Sequence, residues 1–201
     1  MSTEAPGPAG NHHDKYGATN PIERRMMAGF LAALDSCVDG LAPTRLLEVG
    51  VGEGEILTRM MQRFPAAAAE GLDLPDDRLQ AEWAARCLPA RVGDATALEA
   101  ADGAYDLVLA IEVLEHIPQP ERALRELARV CSGHVVLSVP FEPVWRVGNM
   151  ARGRYLKQFG NTPGHVNHWS RWSFVKLVGQ YFEVERVASP LPWTMVRARS
   201  K

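Results

Sequence analysis

The sequence has few cysteines, no excess of one charge and no long apolar run. Its three cysteines, Cys37, Cys87 and Cys131, are far apart, so neither a disulfide framework nor a cysteine-based zinc site is expected. Lysine and arginine total 22 against 24 aspartates and glutamates, which argues against a basic nucleic-acid binder and against a highly charged disordered chain. No apolar run approaches the roughly 20 residues that span a bilayer. Because the N-terminus also lacks the cationic-then-apolar order of a signal peptide, we expect a cytoplasmic protein without a transmembrane segment.

A regular alternation of apolar strands and amphipathic helices fills the middle of the chain. The length of 201 residues predicts one domain, which we place at 20–201 behind a flexible segment, 1–19. Asn20 and Pro21 predict the start of the first helix. Between about 45 and 139, five strands alternate with helices, which is typical of an α/β fold with a parallel sheet. We expect a further helix from Ser170 and two more strands at 182–188 and 193–199.

A glycine-rich segment, Glu48 to Gly54 (EVGVGEG), follows the first predicted strand and opens a helix. Glycines there let the backbone turn tightly against a ligand, and the unpaired amides at the helix N-terminus favour an anionic group. The spacing G-x-G-x-G departs from the G-x-G-x-x-G of dinucleotide sites. Glu48 would repel a pyrophosphate and suits a ligand that carries an amine. The alternatives are a turn that binds nothing and an NAD(P)-dependent oxidoreductase.

Two aspartates lie where predicted strands end: Asp73 is the last residue of the second strand, and Asp94 follows the third. A carboxylate at the end of the second strand can accept hydrogen bonds from ribose hydroxyls, and Asp94 could bind an exocyclic amine. Together with the glycine-rich segment, they predict a site for an adenosine that carries an amino-acid tail.

These motifs resemble those of class I S-adenosylmethionine-dependent methyltransferases, in their small-molecule branch. LLEVGVGEGE is similar to the first family motif, GLDL to the second, GDAT to the third, YDLVLAIEVLEHI to the fourth and VVLSVP to the fifth strand. A Cys-Ser-Gly turn stands where the family usually has Pro-Gly-Gly. The resemblance covers 44–140 strongly and 170–199 loosely. It implies a Rossmann-like α/β fold with a seven-stranded, mostly parallel sheet, one antiparallel strand and helices on both faces.

The resemblance also assigns candidate contacts with S-adenosylmethionine. The glycine-rich segment and the end of the fourth strand, Ile111 and Glu112, should contact the methionyl part. Asp73 should bind the ribose. Leu74, Asp94 and Ala95 should contact the adenine. In chain order these cofactor residues are Glu48, Gly50, Gly52, Gly54, Asp73, Leu74, Asp94, Ala95, Ile111 and Glu112. The motifs are specific for the cofactor and say little about the acceptor.

Methyl transfer from a sulfonium is an in-line displacement that proximity alone can accelerate, so a base is needed only for an acceptor that carries a proton. The candidate bases are His116, after the fourth strand, and His165 and His168, in the irregular segment 141–169. Each could instead be a packed loop histidine. No metal site is expected, because the tail residues His12, His13 and Asp14 resemble metal ligands by type only.

Segment 141–169 is expected to be irregular and to cap the acceptor pocket as an insertion. Phe141, Trp145 and Trp169, with Tyr16 as a lid, are the candidate acceptor contacts. The stretch 141–176 holds one acid and six bases, which favours an apolar or anionic small-molecule acceptor. The alternatives are a solvated helical face and a membrane-surface patch. The alternative to an enzyme is a scaffold protein that binds the cofactor and does not catalyse a reaction.

Overall fold

Seven strands form one sheet in the computed structural model, which describes residues 20–151, 153 and 155–201, with the backbone alone at Lys157. The strands are β1 (Arg45–Val49), β2 (Ala68–Asp73), β3 (Ala90–Val92), β4 (Tyr105–Ile111), β5 (Cys131–Pro140), β6 (Phe182–Ala188) and β7 (Trp193–Ser200). Their order across the sheet is β3-β2-β1-β4-β5-β7-β6. β7 runs antiparallel to both of its neighbours, while the pairings among β1 to β5 are parallel.

The described residues also form six α-helices and two short 3₁₀ turns, of which the first helix precedes β1 and the others lie between strands. The helices are α1 (Pro21–Val38), α2 (Glu55–Arg63), α3 (Asp77–Ala85), α4 (Pro120–Val130), α5 (Val144–Ala151) and α6 (Arg171–Tyr181), and the 3₁₀ turns are Leu114–His116 and Leu156–Gln158. The predicted start of α1 is confirmed, because the Asn20 side chain accepts a hydrogen bond from the Ile22 amide at 2.9 Å.

The apolar core lies on both faces of the sheet. Successive side chains of a strand point to opposite faces, so Leu47 packs with α4 and α6 while its neighbour Leu46 packs with α1, α2 and α3. Strands buried on both faces need apolar residues at nearly every position, which explains the continuous apolar runs that predicted them.

The strand order places a binding crevice at the carboxyl ends of β1 and β4. The chain moves outward from β1 to β3 and then returns to start β4 on the other side of β1. The connections after β1 and β4 therefore diverge, and ligands of open α/β sheets bind in the crevice between them. The predicted seven-stranded Rossmann-like fold, with one antiparallel strand, is confirmed.

The segment 141–169 is less irregular than the sequence suggested. The expectation of an irregular segment is wrong for Val144–Ala151, which form α5. Pro143 and Gly148 hide the helical pattern, since both residues are typical of turns. Among the described residues no helix is both long and apolar enough to span a membrane.

Candidate active site

A cavity of about 590 Å³ opens at the carboxyl ends of β1, β2 and β4. It brings together nine of the ten predicted cofactor residues and one of the three candidate histidines. They are Glu48, Gly50, Gly52, Asp73, Leu74, Asp94, Ala95, Ile111, Glu112 and His116. These residues come from four separate connections, so the topology of the sheet assembles the site.

The glycine-rich segment adopts a backbone conformation that is strained for residues with a side chain. Gly50 and Gly52 adopt φ angles of +75° and +50°, in the left-handed region that favours glycine. A Cβ atom at Gly50 would overlap the Val113 side chain, whereas at Gly52 it would meet no protein atom within 4 Å. Gly52 therefore borders open space in the cavity. Gly54, the tenth predicted residue, lies outside the lining, and its missing side chain makes room for Leu88.

Glu48 is a buried carboxylate on the wall of the cavity. Its side chain is 2% exposed, and its Oε2 atom has no hydrogen-bond partner in the described structure. Burial, and then the charge of Asp73, raise the pKa of Glu48 well above its ordinary value. A buried oxygen without a partner is costly, so this atom fits a donor that a ligand would bring.

Asp73 is fixed by two backbone amides. One carboxylate oxygen accepts from the Gly52 amide at 2.7 Å and the other from the Leu74 amide at 2.8 Å. A carboxylate offers about four acceptor sites, so hydroxyl groups of a ligand could still bind. Burial raises the pKa of Asp73. Asp94 is held in a similar way, because its Oδ1 accepts from the amide and the hydroxyl of Thr96.

Glu112 adopts a strained backbone conformation at the exit of β4. Its φ is +59°, which is uncommon for a residue with a side chain and clusters at functional sites. The Ser138 hydroxyl donates to its carboxylate at 3.0 Å, and the Trp193 indole N–H donates at 2.7 Å. Trp193 also lines the cavity, and sequence reasoning missed it. No sequence motif marks Trp193, because its position depends on the pairing of β7 with the end of β5.

The three candidate histidines, His116, His165 and His168, do not lie together. The rings of His116 and His165 meet edge to face, with centroids 4.9 Å apart, and Trp145 stacks on His165 at 6.1 Å. His116 lines the cavity, while His165 lies behind it and is 7% exposed. His168 is exposed, and its Nε2 lies 2.7 Å from Oδ1 of Asn161. Burial of its ring atoms and then the charge of Arg146 lower the pKa of His168.

Most other predicted acceptor contacts hold the segment together. Phe141 and Trp169 pair with each other as a β-bridge, and Trp145 donates its indole N–H to Thr162. Arg146 donates to the carbonyl of Phe159 at 3.0 Å, so this basic side chain stabilises the segment 141–169. Tyr16, Arg152 and Arg154 lie outside the described residues, as does all of 1–19, and the Lys157 side chain is likewise not described.

Comparison with known proteins agrees with this geometry. Residues 20–184 match the model of a methyltransferase domain family, so the chain belongs to that family. The predicted membership of a methyltransferase family with a class I fold is confirmed. A solved structure of an S-adenosylmethionine-dependent methyltransferase from Aquifex aeolicus has the same fold, with a TM-score of 0.69 and 15% identity over 90% of this chain and 94% of that one.

Two curated relatives match part of the chain. The malonyl-[acyl-carrier protein] O-methyltransferase of Geobacter sulfurreducens is 31% identical over 57% of this chain and 44% of its own length. The ubiquinone/menaquinone biosynthesis C-methyltransferase of Dinoroseobacter shibae is 38% identical over 60% of this chain and 51% of its own length. The chain thus spans about half the length of these relatives.

Proposed function

We propose that the chain transfers a methyl group from S-adenosylmethionine to a small-molecule acceptor at an oxygen, nitrogen or carbon atom. The observation that carries the proposal is the cavity in which a positive-φ glycine loop, the buried Glu48 and the amide-fixed Asp73 converge. Membership of the methyltransferase domain family supports it. The two curated relatives described above are named for O- and C-methylation, so they leave the acceptor atom open.

The residues of the cavity fit this cofactor group by group. Oε2 of Glu48, which lacks a partner within the described structure, would accept from the ammonium of the methionyl part. The charge of an ammonium would also favour the ionised form of Glu48. Asp73 would accept from the ribose hydroxyls through its remaining acceptor sites.

The adenine would lie farther along the same cavity. Leu74 is 42% exposed there, which offers an apolar surface to the base. Asp94 and Ala95 follow β3 and would meet the adenine edge. Glu112, fixed by Ser138 and Trp193, would form the wall at the methionyl end.

When bound, the cofactor supplies an electrophilic methyl group on a positively charged sulfur. The protein's task is then to hold an acceptor atom about 3 Å from that carbon and in line with the breaking C–S bond. His116, which lines the cavity, is positioned to activate an acceptor that carries a proton. We propose that 141–169 caps the acceptor side, because it follows β5 and its His165 packs against His116.

A binding measurement tests the proposal against an oxidoreductase. Thermal unfolding of the full chain is followed with S-adenosylhomocysteine, S-adenosylmethionine, NAD⁺ and NADP⁺, each at saturating concentration. We expect the first two to raise the melting temperature, since a ligand at 100 times its Kd stabilises by about 2.7 kcal/mol. Stabilisation by a dinucleotide alone would overturn the proposal.

Turnover with candidate acceptors then separates an enzyme from a cofactor-binding scaffold. Production of S-adenosylhomocysteine is measured with panels of hydroxyl, amine and activated-carbon acceptors. We expect at least one class to be methylated, and its identity defines the acceptor atom.

A further inference from the structure

Three potential metal ligands meet beside the acceptor end of the cavity. One ligand atom each from Glu115, His116 and His165 lies within 4.8 Å of the other two. Glu115 is 1% exposed and His165 is 7% exposed, so two of the three are buried. His116 also lines the cavity. The group therefore connects a buried, polar cluster to the space where an acceptor would be bound.

The backbone around this group is fixed from both sides. Glu115 and His116 are adjacent on the 3₁₀ turn after β4, and the carbonyl of Glu115 accepts from the Val166 amide at 2.9 Å. The Asn167 side chain donates to the carbonyls of Leu114 and Ile117. The loop that carries His165 is therefore held directly against the turn that carries the other two groups.

The orientation of His116 is typical of a metal ligand. Its Nδ1 lies 3.1 Å from the carbonyl oxygen of Gly164, which can only accept a hydrogen bond. The proton of the neutral ring is thus on Nδ1, and Nε2 carries the lone pair. Metal-binding histidines almost always donate their second ring nitrogen in this way, which fixes the tautomer and the ring. Stacking on Trp145 fixes the His165 ring as well.

The set of donors selects the kind of ion. Two imidazoles and one carboxylate suit Zn²⁺ and neighbouring transition metals, whereas Mg²⁺ and Ca²⁺ prefer oxygen ligands. Ligand atoms about 2.0–2.2 Å from Zn²⁺ stand a little over 3 Å apart, so small side-chain rotations would close the site. Three protein ligands leave a position for water or substrate, as in catalytic zinc sites.

We propose that Glu115, His116 and His165 bind one divalent transition-metal ion of the Zn²⁺ type, with its open position toward the acceptor cavity. Binding of the ion does not depend on the proposed methyl transfer, but its use in the reaction does. An acceptor hydroxyl on the ion would lose its proton to solvent more readily. Its oxygen would then form the bond to the methyl carbon as the C–S bond breaks and sulfur keeps the electron pair. His116 would then act as a ligand and not as a base.

The test measures Zn²⁺ binding directly. The full chain is stripped with a chelator, and Zn²⁺ is titrated by calorimetry while bound metal is counted by elemental analysis. We expect one ion per chain, and Glu115→Gln and His165→Ala should each weaken binding by at least about 10-fold. His134→Ala is the matched control, because His134 pairs with Glu185 on the sheet and is absent from the group. A His12→Ala/His13→Ala double variant excludes binding by the tail and should bind as the wild type does.

Two further measurements keep the outcomes separate. S-adenosylhomocysteine affinity, measured on the same variants, reports folding and the proposed cofactor site and should stay within about 2-fold of wild type. The visible spectrum of Co²⁺ bound to the wild type should indicate four- or five-coordinate ligation with nitrogen donors. Absence of stoichiometric Zn²⁺ binding by the wild type, loss of binding in the tail variant, or unchanged binding in Glu115→Gln and His165→Ala overturns the metal site. Each of those results leaves the cofactor proposal standing.

Discussion

The two sides of the cavity are built by different means. On the proposed cofactor side, the groups lie at or just after the carboxyl ends of β1, β2 and β3 and are fixed by nearby backbone, as when Asp73 accepts from the amides of Gly52 and Leu74. On the proposed acceptor side, groups distant in sequence meet by packing: Trp145 stacks on His165, and His165 meets His116 edge to face. The cofactor side can therefore be recognised from short motifs, whereas the acceptor side depends on how 141–201 folds back onto the sheet.

The largest effect on cofactor binding is expected from Gly52→Val. The new side chain would project into the cavity where Gly52 meets no protein atom, so S-adenosylhomocysteine binding should fall by more than about 100-fold in calorimetry. Gly40→Val is the matched control, because Gly40 also has a positive φ and open space but lies outside the cavity. Equal loss of binding in both variants would mean that backbone strain, not obstruction of the site, is the cause.

Asp73→Ala should weaken S-adenosylhomocysteine binding by about 1–3 kcal/mol, as expected when hydrogen bonds to a charged acceptor are lost. Asp106→Ala provides the comparison, because Asp106 also accepts from two backbone amides, those of Thr44 and Arg45, at the opposite end of β4. That control should lose stability and keep its affinity. An unchanged dissociation constant in Asp73→Ala would exclude the ribose contact.

Glu48→Gln should change the pH dependence of both stability and binding. Burial and the Asp73 charge raise the pKa of Glu48 in the folded protein, so ionisation costs stability as pH rises above the ordinary value of 4.5. The free energy of unfolding of wild type should therefore fall relative to Glu48→Gln over that range. Cofactor binding, in contrast, should favour the wild type. At pH 8 we expect the Glu48→Gln variant to bind the cofactor roughly 10-fold more weakly, which is the scale of a lost charge-assisted hydrogen bond.

Calorimetry in buffers of different ionisation enthalpy provides the check on Glu48. Wild type should release protons when it binds an ammonium-bearing ligand, because ionised Glu48 is favoured in the complex. Proton release that persists unchanged in Glu48→Gln would assign the titration to another group.

The smallest effect is expected from His168→Ala. His168 is exposed and bonded to Asn161, so its loss should change turnover by about 2-fold or less, as surface substitutions usually do. His116→Ala should lower turnover by about 10²–10⁴-fold if the acceptor must lose a proton. Steady-state kinetics with an identified acceptor compare the two variants. A large loss of turnover in His168→Ala would mean that the acceptor binds beside His168, nearer the protein surface.

Much of the fold, and the meeting of the predicted cofactor residues in one cavity, could be predicted because their signals are local. The continuous apolar run of β4 indicates a strand that is buried on both faces. The glycines before α2 indicate a tight turn. Each signal lies within a few consecutive residues. The helix α5 was missed because Pro143 and Gly148 interrupt its pattern. Trp193 and the meeting of Glu115, His116 and His165 were missed because they depend on pairing between distant segments, which no spacing motif records.

The most direct test of the account is a crystal structure of the chain with S-adenosylhomocysteine. We predict that the amino group of the ligand lies within about 3.2 Å of a Glu48 carboxylate oxygen, with the ribose hydroxyls on Asp73 and the sulfur facing His116. A ligand bound elsewhere, or one whose amino group contacts neither Glu48 nor the glycine-rich segment, would contradict the assignment of the two sides.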